Sequence, residues 1–165
     1  LPNNKNIIMA AQQCVGLTEK QVIVVPTHSI PQGISAMMSV DTAEEDPQAI
    51  LAAMTEAAAA VTTAQITYAA RNSDFDGFAI NEGDYLALLD GKLFGTERDI
   101  TSLLTRLAAL AAEREAAFVT LFYGEGVSQE EAEAAQALFT EACPETEVSL
   151  LSGGQPVYYY TISIE

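Results

Sequence analysis

A chain of 165 residues and 17.6 kDa has room for one ordinary domain and enough length to bury a core without disulfide staples. Hydrophobic residues at 49% against 18% charged exclude a disordered chain, and the alanine-rich runs near 57–61 and 107–112 are too short and too closely flanked by charge to cross a membrane. The 23 carboxylates against 7 basic residues set a formal charge of −16, a field that repels phosphate backbones and anionic lipid surfaces and so excludes nucleic acid as an expected partner.

Asn3 or Asn4 is placed to cap a first helix whose apolar positions Ile7, Ile8, Ala11, Cys14 and Val15 repeat at helical spacing toward a core, with Gly16 available for a left-handed stop. Gln21 to Val25 is a continuous, β-branched run closed by Pro26, the pattern of a strand buried on both faces as in a parallel sheet. Ser29-Ile30-Pro31-Gln32 has the form of a capping box and opens a second helix through Ile34, Met37 and Met38. Asp46-Pro47 opens a third, with Ile50, Leu51, Met54, Ala58 and Val61 at helical intervals.

From Ala64 to Phe94 the pattern changes to short β-type runs at 65–68, 77–80, 85–89 and 92–94, with Asn81-Glu82-Gly83-Asp84 and Asp90-Gly91 as turns. We read these as an antiparallel hairpin insert at about 64–95. Asp99 then caps a helix with Ile100, Leu103, Leu104, Leu107 and Leu110 on one face. Phe118 to Tyr123 is a strand, Ser128-Gln129-Glu130-Glu131 is a full capping box before a helix, and Thr146 to Leu151 is the next strand, so 118–151 reads as a βαβ unit with parallel strands. Val157 to Ile164 closes the chain as a last strand. The whole reads as a single α/β domain, residues 1–165, with a mixed β-sheet and helices packed on it.

The two thiols, Cys14 and Cys143, are far apart in sequence and belong to no CxxC or Cys/His cluster, which favours a reduced compartment. The first residues have no basic-then-apolar leader, so a cytoplasmic location is the expectation. Because the chain opens on Leu1-Pro2, it is expected to be a piece of a longer polypeptide.

Three places could carry chemistry. The segment Pro26 to Gly33 joins an expected strand end to a helix start, where amides and the helix dipole favour ligands, and it offers the Thr27 and Ser29 hydroxyls, the lone imidazole His28, Gln32 and Gly33. A capped helix beside an exposed histidine explains the same residues, and one histidine with two distant cysteines makes no metal site. Gly124-Glu125-Gly126 and Gly153-Gly154-Gln155-Pro156 both follow strands and could bring amides close to an anion, although neither matches a nucleotide motif and sharp turns also account for them. Asp74, Asp76, Glu82 and Asp84 lack calcium-loop spacing and read as a solvated acidic rim. On the final strand, Tyr158 and Tyr160 should face one way and Tyr159 the other, presenting either interface anchors or core rings.

The opening LPNNKNI, the PTHSIPQG segment at 26–33, Glu82-Gly83-Asp84-Tyr85 with Leu89-Asp90-Gly91-Lys92, Tyr123-Gly124 and the GGQP at 153–156 occur in one order along essentially the whole chain. In that combination the chain resembles the C-terminal region of the large A-type component of bacterial fatty acid kinases, whose N-terminal domain is dihydroxyacetone-kinase-like and binds ATP. The resemblance implies that the parent transfers phosphate from ATP to a fatty acid carried by a separate DegV-like fatty-acid-binding protein, with ATP and magnesium held by the N-terminal domain. It implies no catalytic residue and no cofactor in this stretch, which would be an accessory domain engaging that partner. The partner surface would include the 26–33 turn (Thr27, His28, Ser29, Gln32, Gly33) or the terminal strand (Gly153, Gly154, Gln155, Tyr158, Tyr160). Two alternatives stay open: a small-anion-binding or phosphoryl-handling enzyme domain, and a dimerisation domain that forms a homodimer of the parent.

Overall fold

The computed structural model describes residues 1–75 and 78–165. It is a mixed α/β architecture, and two compact units are distinguished within it, Leu1–Thr62 and Thr63–Glu165.

In the first unit, the Asn4 side chain accepts the Ile7 N–H at 3.0 Å and starts helix α1 (Lys5–Cys14), because an asparagine oxygen satisfies an amide that has no intrahelical acceptor. The helix ends in a single 3₁₀ turn, Val15–Leu17. Gly16 does not take the left-handed conformation expected of it; tightening the last turn satisfies the end carbonyls instead. Of the apolar stripe expected to face a core, only Ile8 is buried, while Ile7 and Val15 are 48% and 41% exposed. Helix α2 (Ile30–Met38) follows Ser29, and helix α3 (Pro47–Ala60) follows Asp46, whose carboxylate accepts the Gln48 N–H at 3.0 Å. The core of this unit is small: Val25, Ala36, Met54 and Ala58, with Val40, Ile50 and Leu51 against them. The run Gln21 to Val25 forms no strand, contrary to its pattern. A strand needs a ladder, and none of the elements of Leu1–Thr62 before β1 is a strand that could supply one.

The second unit is built on strands β1 (Thr62–Tyr68), β2 (Ser73–Phe75), β3 (Phe78–Ile80), β4 (Tyr85–Leu89), β5 (Lys92–Glu97), β6 (Phe118–Tyr123), β7 (Glu147–Ser152) and β8 (Tyr160–Ile164), with helices α4 (Ile100–Glu113) and α5 (Gln129–Ala142). Six strands form one sheet in the order β5-β4-β1-β8-β6-β7, and β2 with β3 forms a separate antiparallel pair. The antiparallel β1-β4-β5 ladder is where the sequence placed antiparallel strands, but it supplies half of the main sheet instead of standing apart from it. Asp90 and Gly91 both have positive φ, 49° and 77°, the geometry that lets a two-residue turn match the twist of its strands. β6 and β7 pair in parallel across α5, as the βαβ pattern requires, and β8 joins β6 antiparallel.

α4 packs on β4 and β5, α5 on β6 and β7, and the two helices on each other. Between them lies the main core, in which Ile66, Leu103, Leu107, Leu121, Phe139 and Ile162 are fully buried. α5 starts from a complete capping box: the Ser128 hydroxyl accepts the Glu131 N–H at 3.3 Å, and the Glu131 carboxylate accepts the Ser128 N–H at 2.9 Å and its hydroxyl at 2.7 Å. The Ser128 hydroxyl, then its amide, hold the Glu131 carboxyl below the usual carboxylate range. A depressed folded pKa contributes stability above the unfolded value and loses it as pH falls through the folded one. Ser128→Ala should therefore lower Tm by about 3 °C at neutral pH and flatten the acid limb of a Tm-against-pH curve below about pH 4.5; an unchanged acid limb contradicts this.

Asp84 is 7% exposed instead of forming part of a solvated rim. Its carboxylate accepts the Asn81 N–H at 2.9 Å and the Asn81 side chain at 3.0 Å, tying off the turn that the sequence marked. Glu82 is exposed; Asp76, and the side chain of Asp74, lie outside the described residues.

Candidate functional site

The 26–33 segment lies in the first unit and is a well-capped helix start. The Ser29 hydroxyl accepts the Gln32 N–H at 3.3 Å, and the Gln32 side-chain oxygen accepts the His28 N–H at 2.8 Å, one residue earlier than the reciprocal box predicts. Gly33 donates its N–H to the Ser29 carbonyl at 3.2 Å, and Pro31 has no N–H to give. The donors that an anion would need at this end are largely taken. Thr27 is fully buried and donates its hydroxyl to the Pro2 carbonyl, so it fastens the backbone and faces no ligand. His28 is exposed. Ser29 and Gly33, with Leu1, Pro2, Ile30 and Ile34, line an open apolar groove of about 640 Å³ in this unit.

In the second unit the two glycine turns leave the carboxyl ends of the parallel strands β6 and β7, the side of an α/β sheet where crevices form. They lie against each other. Gly124 N–H donates to the Tyr159 carbonyl at 2.9 Å, and Glu125 N–H to the Gln155 carbonyl at 3.2 Å; Gly153 and Gly154 donate to the Tyr123 carbonyl at 2.9 and 3.2 Å. Gln155 Nε2 donates to the Phe122 carbonyl at 2.9 Å. Glycine at 124 is a steric necessity: a Cβ there would overlap the Tyr158 carbonyl oxygen and stand 2.6 Å from that of Gln155. All four amides have protein acceptors, so these turns are a mutual clasp and not an anion cradle.

The clasp presents aromatic surface. β8 starts only at Tyr160 and lies between β1 and β6, so the three tyrosines do not alternate along the final strand as the sequence suggested. Tyr160 is 2% exposed, its hydroxyl donating to the Glu131 carbonyl at 3.2 Å, and burial pushes its phenol up to about 12. It is a core ring, with no exposed surface to anchor a partner. Tyr158 and Tyr159 precede the strand and are half-buried. The Tyr159 ring meets Tyr85 and Tyr68 edge-on, with centroids 5.4 and 6.3 Å away, an arrangement that places the positive edge of one ring on the negative face of another. Burial first, then the neighbouring Tyr85 and Tyr68 phenols, push the Tyr159 pKa up.

Tyr159 lines two cavities: one of about 350 Å³ between α4, α5 and the sheet, walled also by Tyr85, Leu104, Val127, Leu138 and Tyr160, and a smaller one of about 160 Å³ walled also by Tyr68, Glu125, Gln155, Val157 and Tyr158. Tyr68 and Val157 are 47% and 62% exposed at its rim. Sequence reasoning reached Gln155 and Tyr158 here but missed Tyr68, Tyr85 and Val157. Tyr68 and Tyr85 are directly paired across β1 and β4, and because β2 and β3 lie in the connection between those strands, no single turn in the sequence gave that register away. Among the described residues, no group of three or more His, Cys, Asp or Glu is placed to hold a metal ion, and no helix is long and apolar enough to cross a membrane.

The fold is that of the DegV proteins. A DegV family protein from Corynebacterium glutamicum matches 95% of this chain and 69% of its own with a TM-score of 0.72 at 16% identity. A fatty acid binding DegV family protein from Streptococcus agalactiae matches 97% of this chain and 65% of its own with a TM-score of 0.66 at 17% identity. The sequence itself belongs to the FakA-like C-terminal family, the C-terminal region of the fatty acid kinase FakA and its relatives, whose model matches residues 1–165. Protein YloV of Bacillus subtilis is 38% identical over 165 residues, and an uncharacterized protein of Staphylococcus aureus strain USA300 is 33% identical over 168. The chain spans 30% of the length of these curated relatives.

Proposed function

We propose that this chain is the partner-binding region of a FakA-type fatty acid kinase, and that it engages a DegV-like fatty-acid-binding protein through the tyrosine surface at the carboxyl ends of β6 and β7. The observation that carries the reading is the cluster of Tyr68, Tyr158 and Tyr159 with exposed Val157 around two adjoining cavities, in a chain whose family is the FakA-like one. Rigid aromatic rings beside pockets are the surface type that supplies most of the energy of protein interfaces, since they bury large area at low entropic cost. Phosphoryl transfer, with its ATP and magnesium, belongs in this reading to another part of the parent polypeptide.

A phosphoryl-handling role for the chain itself finds no support in the geometry. The amides of Gly124, Glu125, Gly153 and Gly154 are bonded within the protein, and Glu125 stands beside them. Calorimetric titration discriminates the two. Saturable binding of a DegV-like fatty-acid-binding protein, with no heat from inorganic phosphate or acyl phosphate, is the expected result; saturable phosphate binding without partner binding contradicts the proposal.

A further inference from the structure

The loop before β8 holds a strained residue that the fold itself does not use. Val157 has φ 72°, and across it the Tyr158 N–H donates to the Pro156 carbonyl at 2.8 Å. A bond that spans one residue with positive φ makes the rarer, strained form of γ-turn. A β-branched side chain adds to the strain, because its Cβ crowds the carbonyl that follows. Glycine takes positive φ at no steric cost, and the same loop uses it at Gly154, φ 59°. Packing gives no reason for valine at 157. Its side chain is 62% exposed, the most of any large apolar residue described in the second unit, and it joins no hydrophobic core. Yet the turn is firmly held: Thr67 Oγ1 donates to the Val157 carbonyl at 3.0 Å, Glu125 N–H to the Gln155 carbonyl at 3.2 Å, and Gln155 Nε2 to the Phe122 carbonyl at 2.9 Å. Strain maintained by its neighbours under an exposed side chain marks a residue used for contact.

We infer that Val157 is the apolar peg of the partner interface, and that it enters an apolar socket on the DegV-like protein. The inference rests on the partner reading above and adds to it the residue that anchors the complex and the surface the partner must present. Tyr68 and Tyr158 line the same small cavity and surround the peg. A turn fixed before the partner arrives has no ordering left to lose when the complex forms. Thr67 acts through Val157, as a positioning residue. Every charged side chain from Glu115 to Glu165 is a glutamate, and one of them, Glu125, lines that cavity, so basic side chains border the socket.

The test is calorimetric titration of the full-length parent protein with a DegV-like fatty-acid-binding protein, beside thermal melts of the same variants. Val157→Gly removes the peg and the strain together, so affinity should fall about 10-fold while the melting transition that Gly124→Ala lowers rises by about 3 °C. Val157→Thr keeps the shape and the strain but puts a hydroxyl in place of a methyl, so affinity should fall about 10-fold with that transition unmoved. Val157→Ile, still apolar and β-branched, should keep the affinity. Thr67→Val should weaken the complex about 3-fold, and add nothing in the Val157→Gly background, a coupling that a merely structural threonine lacks. Full affinity in Val157→Gly or Val157→Thr, or a lowered transition in Val157→Gly, would overturn the inference; additive losses would overturn the role of Thr67. If Tyr68→Ala and Tyr159→Ala still weaken the complex when Val157→Gly does not, the tyrosine surface stands and the peg is lost. Full affinity in all three would mean that the partner reading has failed as well.

Discussion

Alanine at position 124 is expected to lower Tm by about 10 °C, corresponding to about 3 kcal/mol for a chain of this size. The new Cβ would press on two backbone carbonyl oxygens, those of Tyr158 and Gln155, which cannot rotate away as a side chain can. Both belong to the 153–159 loop, which is also held by Gln155 on the Phe122 carbonyl and by Thr67 Oγ1 on the Val157 carbonyl at 3.0 Å. The clasp must open or the strand ends must shift, and either costs hydrogen bonds that no water easily replaces. Alanine at 126, two residues on, meets only the edge of the Tyr159 ring at 3.6 Å, so Gly126→Ala should stay within about 0.5 kcal/mol of the parent sequence. Thermal melts of the two variants side by side check this, and equal Tm values would show that the two turns are not clasped as described.

The second large effect falls on binding. Tyr159→Ala removes a ring that lines both cavities and packs edge-on against Tyr68 and Tyr85, and it should weaken the complex with a DegV-like protein by about 30-fold, or about 2 kcal/mol. Tyr68→Ala, at a ring 47% exposed, removes less buried structure and should weaken the complex by about 10-fold with little change in Tm. Full affinity in both variants, measured by calorimetry on protein whose melts are cooperative, would move the partner surface elsewhere.

Local signals carried most of the second unit. Asp99 and Ser128 accept the amides they were expected to accept, Asp90-Gly91 makes its turn with two positive φ values, and the run 118–123 is β6 to the residue. Capping, turn chemistry and hydrophobic period depend on a few adjacent residues, so they survive whatever the rest of the chain does. What a residue faces is not local. The stripe of α1 and the run at 21–25 have the composition of buried elements, and in the first unit little is present to bury them. The end of the chain misled for a related reason. Val157 takes φ 72°, and the chain turns there before entering the sheet at Tyr160, so a count of alternating faces begun at Val157 is out of step with the strand. Nor could periodicity tell that this strand slots between β1 and β6, which is what makes Tyr160 a core residue.

For the candidate site, the glycine turns were legible as sharp turns and the nearby tyrosines as interface-type residues. Their convergence was not. It depends on β1, β4, β6 and β8 being neighbours in one sheet, a long-range pairing that brings Tyr68, Tyr85 and Tyr159 together from three parts of the chain. The 26–33 segment shows the reverse: its sequence invites a ligand, and its hydrogen bonds are already made within the helix start.

Partner recognition by the β6–β7 end of the sheet is tested most directly by an amide-exchange footprint of the chain with and without a DegV-like fatty-acid-binding protein. Slowed exchange at 124–128 and 153–159, with α4 and the β4–β5 turn unchanged, is the predicted result. Protection confined to residues outside those two loops, or a complex that forms with neither loop affected, would contradict it.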